Sequence, residues 1–138
     1  MFIDFEKYAH TITNVSFDDE YNDEYQTITL ETDGGISFKF TAVGDCCSTS
    51  IFRQFEDYKF TSLIGKTIEL LTSIEVPDYY IDKYSETDEE SDLYASYHMY
   101  QFNFVNSDEI FQFLLINFSN GYYDGWMDSQ VIETSSIK

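Results

Sequence analysis

Residues 24–41 read EYQTITLETDGGISFKFT, and this stretch decides the fold class. Tyr25, Thr27 and Thr29 alternate with Gln26, Ile28 and Leu30. After Thr32-Asp33-Gly34-Gly35, Ile36, Phe38 and Phe40 alternate with Ser37, Lys39 and Thr41. Successive side chains of a strand point to opposite faces, so each run has a face to bury and a face to solvate. Asp-Gly-Gly between two such runs predicts a tight hairpin, because glycine enters the positive-φ region at no steric cost. The core of the fold is therefore an antiparallel sheet.

Working outward, Thr11–Phe17 (TITNVSF) and Lys66–Val76 read as strands, the second stopped by Pro77. Leu93–Val105 and Ile110–Phe118 form a second predicted hairpin around Asn106-Ser107-Asp108-Glu109, rich in the aromatic and β-branched residues that suit sheets. Ser50–Tyr58 (SIFRQFEDY) places Ile51, Phe52 and Phe55 at helical spacing behind a serine cap, which predicts a short helix. The expected class is α+β: an antiparallel sheet of five or six strands with one short helix packed on it. A sheet-only sandwich or partly open barrel is the alternative. With 138 residues, one proline and six glycines, the chain reads as a single domain over 1–138. Residues 78–92 read as a mobile acidic loop and 128–138 as a loose tail.

Twenty-six Asp and Glu against seven Lys and Arg give a net charge of −19. An apolar share of 43%, with 19% aromatic, still supplies enough burial to offset ordering entropy, so the chain folds. Such charge excludes direct binding to nucleic acid or to anionic membranes, both polyanions. It favours a basic protein surface, a cation or a saline setting. The N-terminal MFIDFEKYAH lacks the basic and apolar regions of a signal peptide. The longest apolar stretch, Ile110–Phe118, is too short to span a bilayer and is broken by Gln112 and Asn117. The expectation is a cytoplasmic monomer.

Two carboxylate clusters stand out: Asp18, Asp19, Glu20, Asp23 and Glu24, and then Glu86, Asp88, Glu89, Glu90 and Asp92. The plain reading is solvated loops. The functional one is a partner-binding surface for a basic groove, with Tyr21, Tyr25, Tyr84 and Tyr94 as flat anchors. A calcium loop fails on spacing, since counting from Asp18 puts Asp23 where glycine is required and Thr29 where glutamate is required.

Gly44-Asp45-Cys46-Cys47-Ser48 is the sharpest local feature. Adjacent cysteines make a strained disulfide, so they read as free thiols or metal ligands. Zinc would take Asp45, Cys46 and Cys47 with His98 or His10, although the adjacency departs from the usual cysteine spacing. A helix beginning near Ser50 would favour thiolate and open a thiol route with His98. The plain reading is one core cysteine and one idle. Near the C-terminus, Ser119-Asn120-Gly121-Tyr122-Tyr123-Asp124-Gly125-Trp126 reads as a turn. No nucleophile elbow, HExxH, phosphate loop or dinucleotide fingerprint occurs, so a binding protein leads over an enzyme.

Asp45-Cys46-Cys47, Leu63-Ile64-Gly65 and Ser119-Asn120-Gly121-Tyr122-Tyr123 together resemble a family of small phage, prophage and bacterial proteins over about residues 25–127. Many members carry a histidine a few residues before the two cysteines, where this chain has Ala42. The resemblance implies a phage context in which small acidic proteins act against host defence. It implies a type II anti-CRISPR-like inhibitor that binds the basic DNA- or guide-handling surface of an RNA-guided nuclease. A metal-dependent or thiol enzyme, or an acidic phage housekeeping protein, are the alternatives.

Overall fold

The computed structural model describes residues 3–18, 26–44, 49–77, 94–119 and 125–133. Its strands are β1 (Ile12–Asp18), β2 (Thr27–Thr32), β3 (Ile36–Gly44), β4 (Thr49–Gln54), β5 (Ile68–Ile74), β6 (Tyr94–Phe104), β7 (Ile110–Ser119) and β8 (Gly125–Glu133). They form two antiparallel sheets of four, in the orders β1-β2-β3-β8 and β4-β7-β6-β5. Short 3-10 helices at Phe5–Tyr8 and Phe60–Leu63 are the helical content of the described residues.

The deciding hairpin forms as its alternation predicts. Ile28 opposes Phe40 and Leu30 opposes Phe38 on the buried face, while Thr29 opposes Lys39 and Thr27 opposes Thr41 outside. Gly35 takes a φ of 74°, and Thr32 Oγ1 donates to the Ile36 carbonyl at 2.7 Å. The β6–β7 hairpin turns on Asn106 at a φ of 55°, a conformation asparagine tolerates better than most residues.

Three expectations are corrected. The helix over Ser50–Tyr58 is instead β4, paired with β7 from Thr49 opposite Phe118 to Gln54 opposite Phe113. Phe52 packs between the sheets, whereas Ile51 and Phe55 pack on the outer face of the second sheet. A strand that buries side chains on both faces loses its period of two, and its apolar spacing then imitates a helix. The loose tail over 128–138 is, as far as Glu133, part of β8, which runs along the whole of β3. Its pattern is weak because Ser129, opposite Phe40, takes an inward position that a large apolar residue would otherwise fill. With β4 and β8 added there are eight strands among the described residues, and the class is a two-sheet β-sandwich. The expected loop over 78–92 lies outside the described residues.

Aromatic rings fill the space between the sheets. Phe113 is fully buried, with ring centroids of Phe60, Tyr100, Phe102 and Phe52 at 5.5, 5.6, 5.6 and 6.0 Å. Such pairs add about 0.5–1.5 kcal/mol beyond the area they bury. β7 is buried on its other face too, where Leu114, Ile116 and Phe118 join Met99 and Phe55 in a second cluster. The edges of the two sheets are tied. Ile12 N donates to the Lys66 carbonyl and Gly65 N to the Ile12 carbonyl, each at 2.8 Å, joining β1 to the approach to β5. On the other side Phe52 N, on β4, donates to Gln26 Oε1 at 2.8 Å.

Candidate functional site at the ends of the sandwich

The strands are antiparallel throughout, so every odd-numbered strand runs toward one end and every even-numbered strand leaves from it. Asp18 opposes Thr27, Thr27 opposes Thr41, Gly44 opposes Gly125, Thr49 opposes Phe118 and Tyr94 opposes Ser119, all at that end. Connections 19–25, 45–48, 75–93 and 120–124 therefore leave from and return to the same end, called here the motif end. The turn end carries the connections 33–35, 55–67 and 105–109.

Of the expected partner-binding residues, Asp18 is half-buried as the last residue of β1. Asp19, Glu20, Asp23, Glu24, Glu86, Asp88, Glu89, Glu90 and Asp92 lie outside the described residues. So do the expected metal ligands Asp45, Cys46 and Cys47. The described strand ends that flank these segments, at residues 18, 27, 44, 49, 94, 119 and 125, lie at one end. His98 stands opposite Leu115 on the inward face of β6, half-buried. His10 sits at the turn end, with Nδ1 3.9 Å from Asp33 Oδ1. The seven residues of β1, at about 3.3 Å each, separate it from the motif end by about 20 Å. Among the described residues no group of three or more His, Cys, Asp or Glu could hold a metal ion. No helix follows the cysteines either, since β4 takes its place, so the helix dipole invoked for a thiolate is absent.

A buried polar network underlies the motif end. Asn117 is 1% exposed and Ser50 6%; Asn117 Nδ2 donates to Ser50 Oγ at 2.9 Å, and Ser50 Oγ donates to the Val43 carbonyl at 2.8 Å. This chain of bonds links β7, β4 and β3 across both sheets. Gly125 packs so closely on it that a Cβ there would collide with Ser50 Oγ, Asn117 Nδ2 and the Val43 carbonyl. The glycine is required by the close approach of the chain, whatever its dihedrals. The break that Asn117 makes in the apolar run of β7 was the one sequence signal of this network.

The turn end carries a cleft of about 580 Å³ lined by Asp57, Tyr58, Ser62, Lys66, Phe104, Asp108, Glu109, Ile110 and Phe111. The approach to β5, the 55–58 corner and the β6–β7 hairpin form its walls. Lys66 pairs with Glu109, and its Nζ stands 5.7 Å from the centroid of the Phe104 ring. The helix expected over 50–58 hid this site, because it assigned Asp57 and Tyr58 to a helix instead of the corner that faces the distant hairpin.

Across the described residues every Asp and Glu is exposed except Asp18. No helix among them is long and apolar enough to cross a membrane. Compared with known proteins, a 91-residue stretch is 38% identical to an uncharacterized protein of Acanthamoeba polyphaga mimivirus. The chain is similar to a viral protein. The match covers 64% of this chain and 64% of that relative, so the chain spans under two thirds of the relative's length. No protein-family profile matches the chain. No solved structure matches it either.

Proposed function

We propose that this chain is an acidic binding protein that presents carboxylates from the motif end of a β-sandwich to a basic, nucleic-acid-handling surface of another protein. The observation that carries the reading is that the strands flanking both acidic clusters start or finish at one end of an aromatic-cored scaffold. Binding residues on loops held by a packed scaffold are a recurrent arrangement. Lysines and arginines that hold a phosphate backbone cannot hold these carboxylates at the same time, so binding would be inhibition by competition. The viral relative supports a viral setting without naming a partner, so the partner is specified by its chemistry. An RNA-guided nuclease in a phage-infected bacterium, bound by an anti-CRISPR-like inhibitor acting in the cytoplasm, is one member of that class.

The test is displacement of labelled duplex DNA from a purified RNA-guided nuclease loaded with its guide. The expected result is stoichiometric displacement that weakens as salt rises. Replacing Glu86, Asp88, Glu89 and Glu90 by lysine, and separately Asp18, Asp19, Glu20, Asp23 and Glu24, should abolish it. Undiminished displacement by both variants would sink the reading.

A second reading keeps a structural zinc at Asp45, Cys46, Cys47 and His98, supported by the inward, half-buried position of His98 on a strand that starts at the motif end. Elemental analysis of the purified protein decides it. Stoichiometric zinc lost in the Cys46→Ser, Cys47→Ser variant, with a lowered melting temperature, is the expected outcome. Metal-free protein of unchanged stability would dismiss it.

A further inference from the structure

We propose that the cleft at the turn end is a seat for an arginine side chain of the basic partner, a second contact point remote from the motif end; this rests on the reading of the chain as a binder of basic surfaces. The cleft combines an aromatic lining, Tyr58, Phe104 and Phe111, with carboxylates, Asp57, Asp108 and Glu109. Its floor already carries a cation: the Lys66 ammonium stands over the Phe104 ring while paired with Glu109. That pair neutralises itself, and neither Asp57 nor Asp108 makes an ion pair among the described residues. Two uncompensated carboxylates thus remain on a lining whose accessible ring is the half-buried Tyr58.

Arginine fits this chemistry better than lysine. Its guanidinium is planar, weakly hydrated and stacks on aromatic rings, and it offers carboxylates a two-pronged donor. A volume of about 580 Å³ lies within the range that admits a side chain of this length with part of its backbone. With a net charge of −19, the chain draws a basic segment toward itself, and the cleft supplies the place where one cation loses its water. Two contact points at opposite ends would also make binding bivalent, which raises affinity without any improvement at either site.

Fluorescein-labelled nona-arginine and nona-lysine, titrated by anisotropy against the full chain, provide the test. The double variant Asp57→Asn, Asp108→Asn should weaken nona-arginine binding at least fivefold. The charge-matched control Glu69→Gln, Glu133→Gln alters exposed carboxylates outside the cleft and should weaken it less than twofold. Nona-arginine should bind more tightly than nona-lysine, and should shift the backbone amide resonances of Ser62, Lys66 and Glu109. Equal weakening by the two double variants, or equal affinity for the two peptides, overturns the cleft and leaves the acidic-binder reading in place. If nona-arginine fails to bind the unmodified chain at all, both fall.

Discussion

The two ends of this sandwich are built on opposite principles. At the turn end the sheets close over phenylalanine: Phe60 packs against Phe111 and Phe113 with centroids 5.5 Å away. At the motif end the interior becomes polar, with Ser50, Asn117 and the tight Gly125 holding the sheets together by hydrogen bonds. Apolar packing is forgiving of direction and proportional to area, whereas a buried hydrogen bond is directional and costly to break. The difference suggests a division of labour. The turn end supplies stability, and the motif end fixes where four connections start and finish.

The comparison can be broken most decisively at Phe113. Phe113→Ala removes a fully buried ring that touches five others and should cost about 3–5 kcal/mol in chemical denaturation. A cost below about 2 kcal/mol would mean the aromatic core is not the main source of stability. At the motif end, Gly125→Ala inserts a methyl group into the Ser50–Asn117 network and should cost about 1–3 kcal/mol. Amide exchange should accelerate first near residues 43, 50 and 117; a uniform acceleration would argue against a locally specified end.

Asn117→Ala leaves Ser50 without its donor and should cost about 1–3 kcal/mol. In a double-mutant cycle with Ser50→Ala the two costs should be less than additive, and strict additivity would show that the bond contributes nothing of its own. The smallest effect is expected at Lys66→Met. The pair with Glu109 is solvent-accessible, so its loss should cost less than about 1 kcal/mol, visible as a small shift in the urea midpoint at low salt.

How much of this was legible in the sequence depended on whether one face of a strand was polar. β2 and β3 alternate cleanly because their outer face carries Thr27, Thr29, Lys39 and Thr41 in partial contact with water. β6 and β7 were readable from their turn and composition. β4 was not, because Ile51 and Phe55 are packed outward while Phe52 is packed inward. β8 was missed because Ser129 and Gln130 dilute its pattern, and only its pairing along β3 makes it a strand. The carboxylate clusters were visible as composition, but that the strands flanking them share one end is a property of topology that no local window contains. The cleft was invisible for a related reason: Lys66 and Glu109 are 43 residues apart, and the pairing of Ile68 with Phe104, with Val105 N donating to the Thr67 carbonyl, sets the relation between their elements.

Trp126 is the chain's single tryptophan, on an outward position of β8 immediately after Gly125, and 47% of it remains accessible. The protein therefore contains its own optical reporter, mounted at the motif end and on no wall of the cleft. Indole emission responds to the polarity around the ring, so a partner that covers the motif end would shift this fluorescence to the blue. An arginine entering the cleft alone would leave it unchanged. One unlabelled emission spectrum can thus tell which end of the molecule has been occupied.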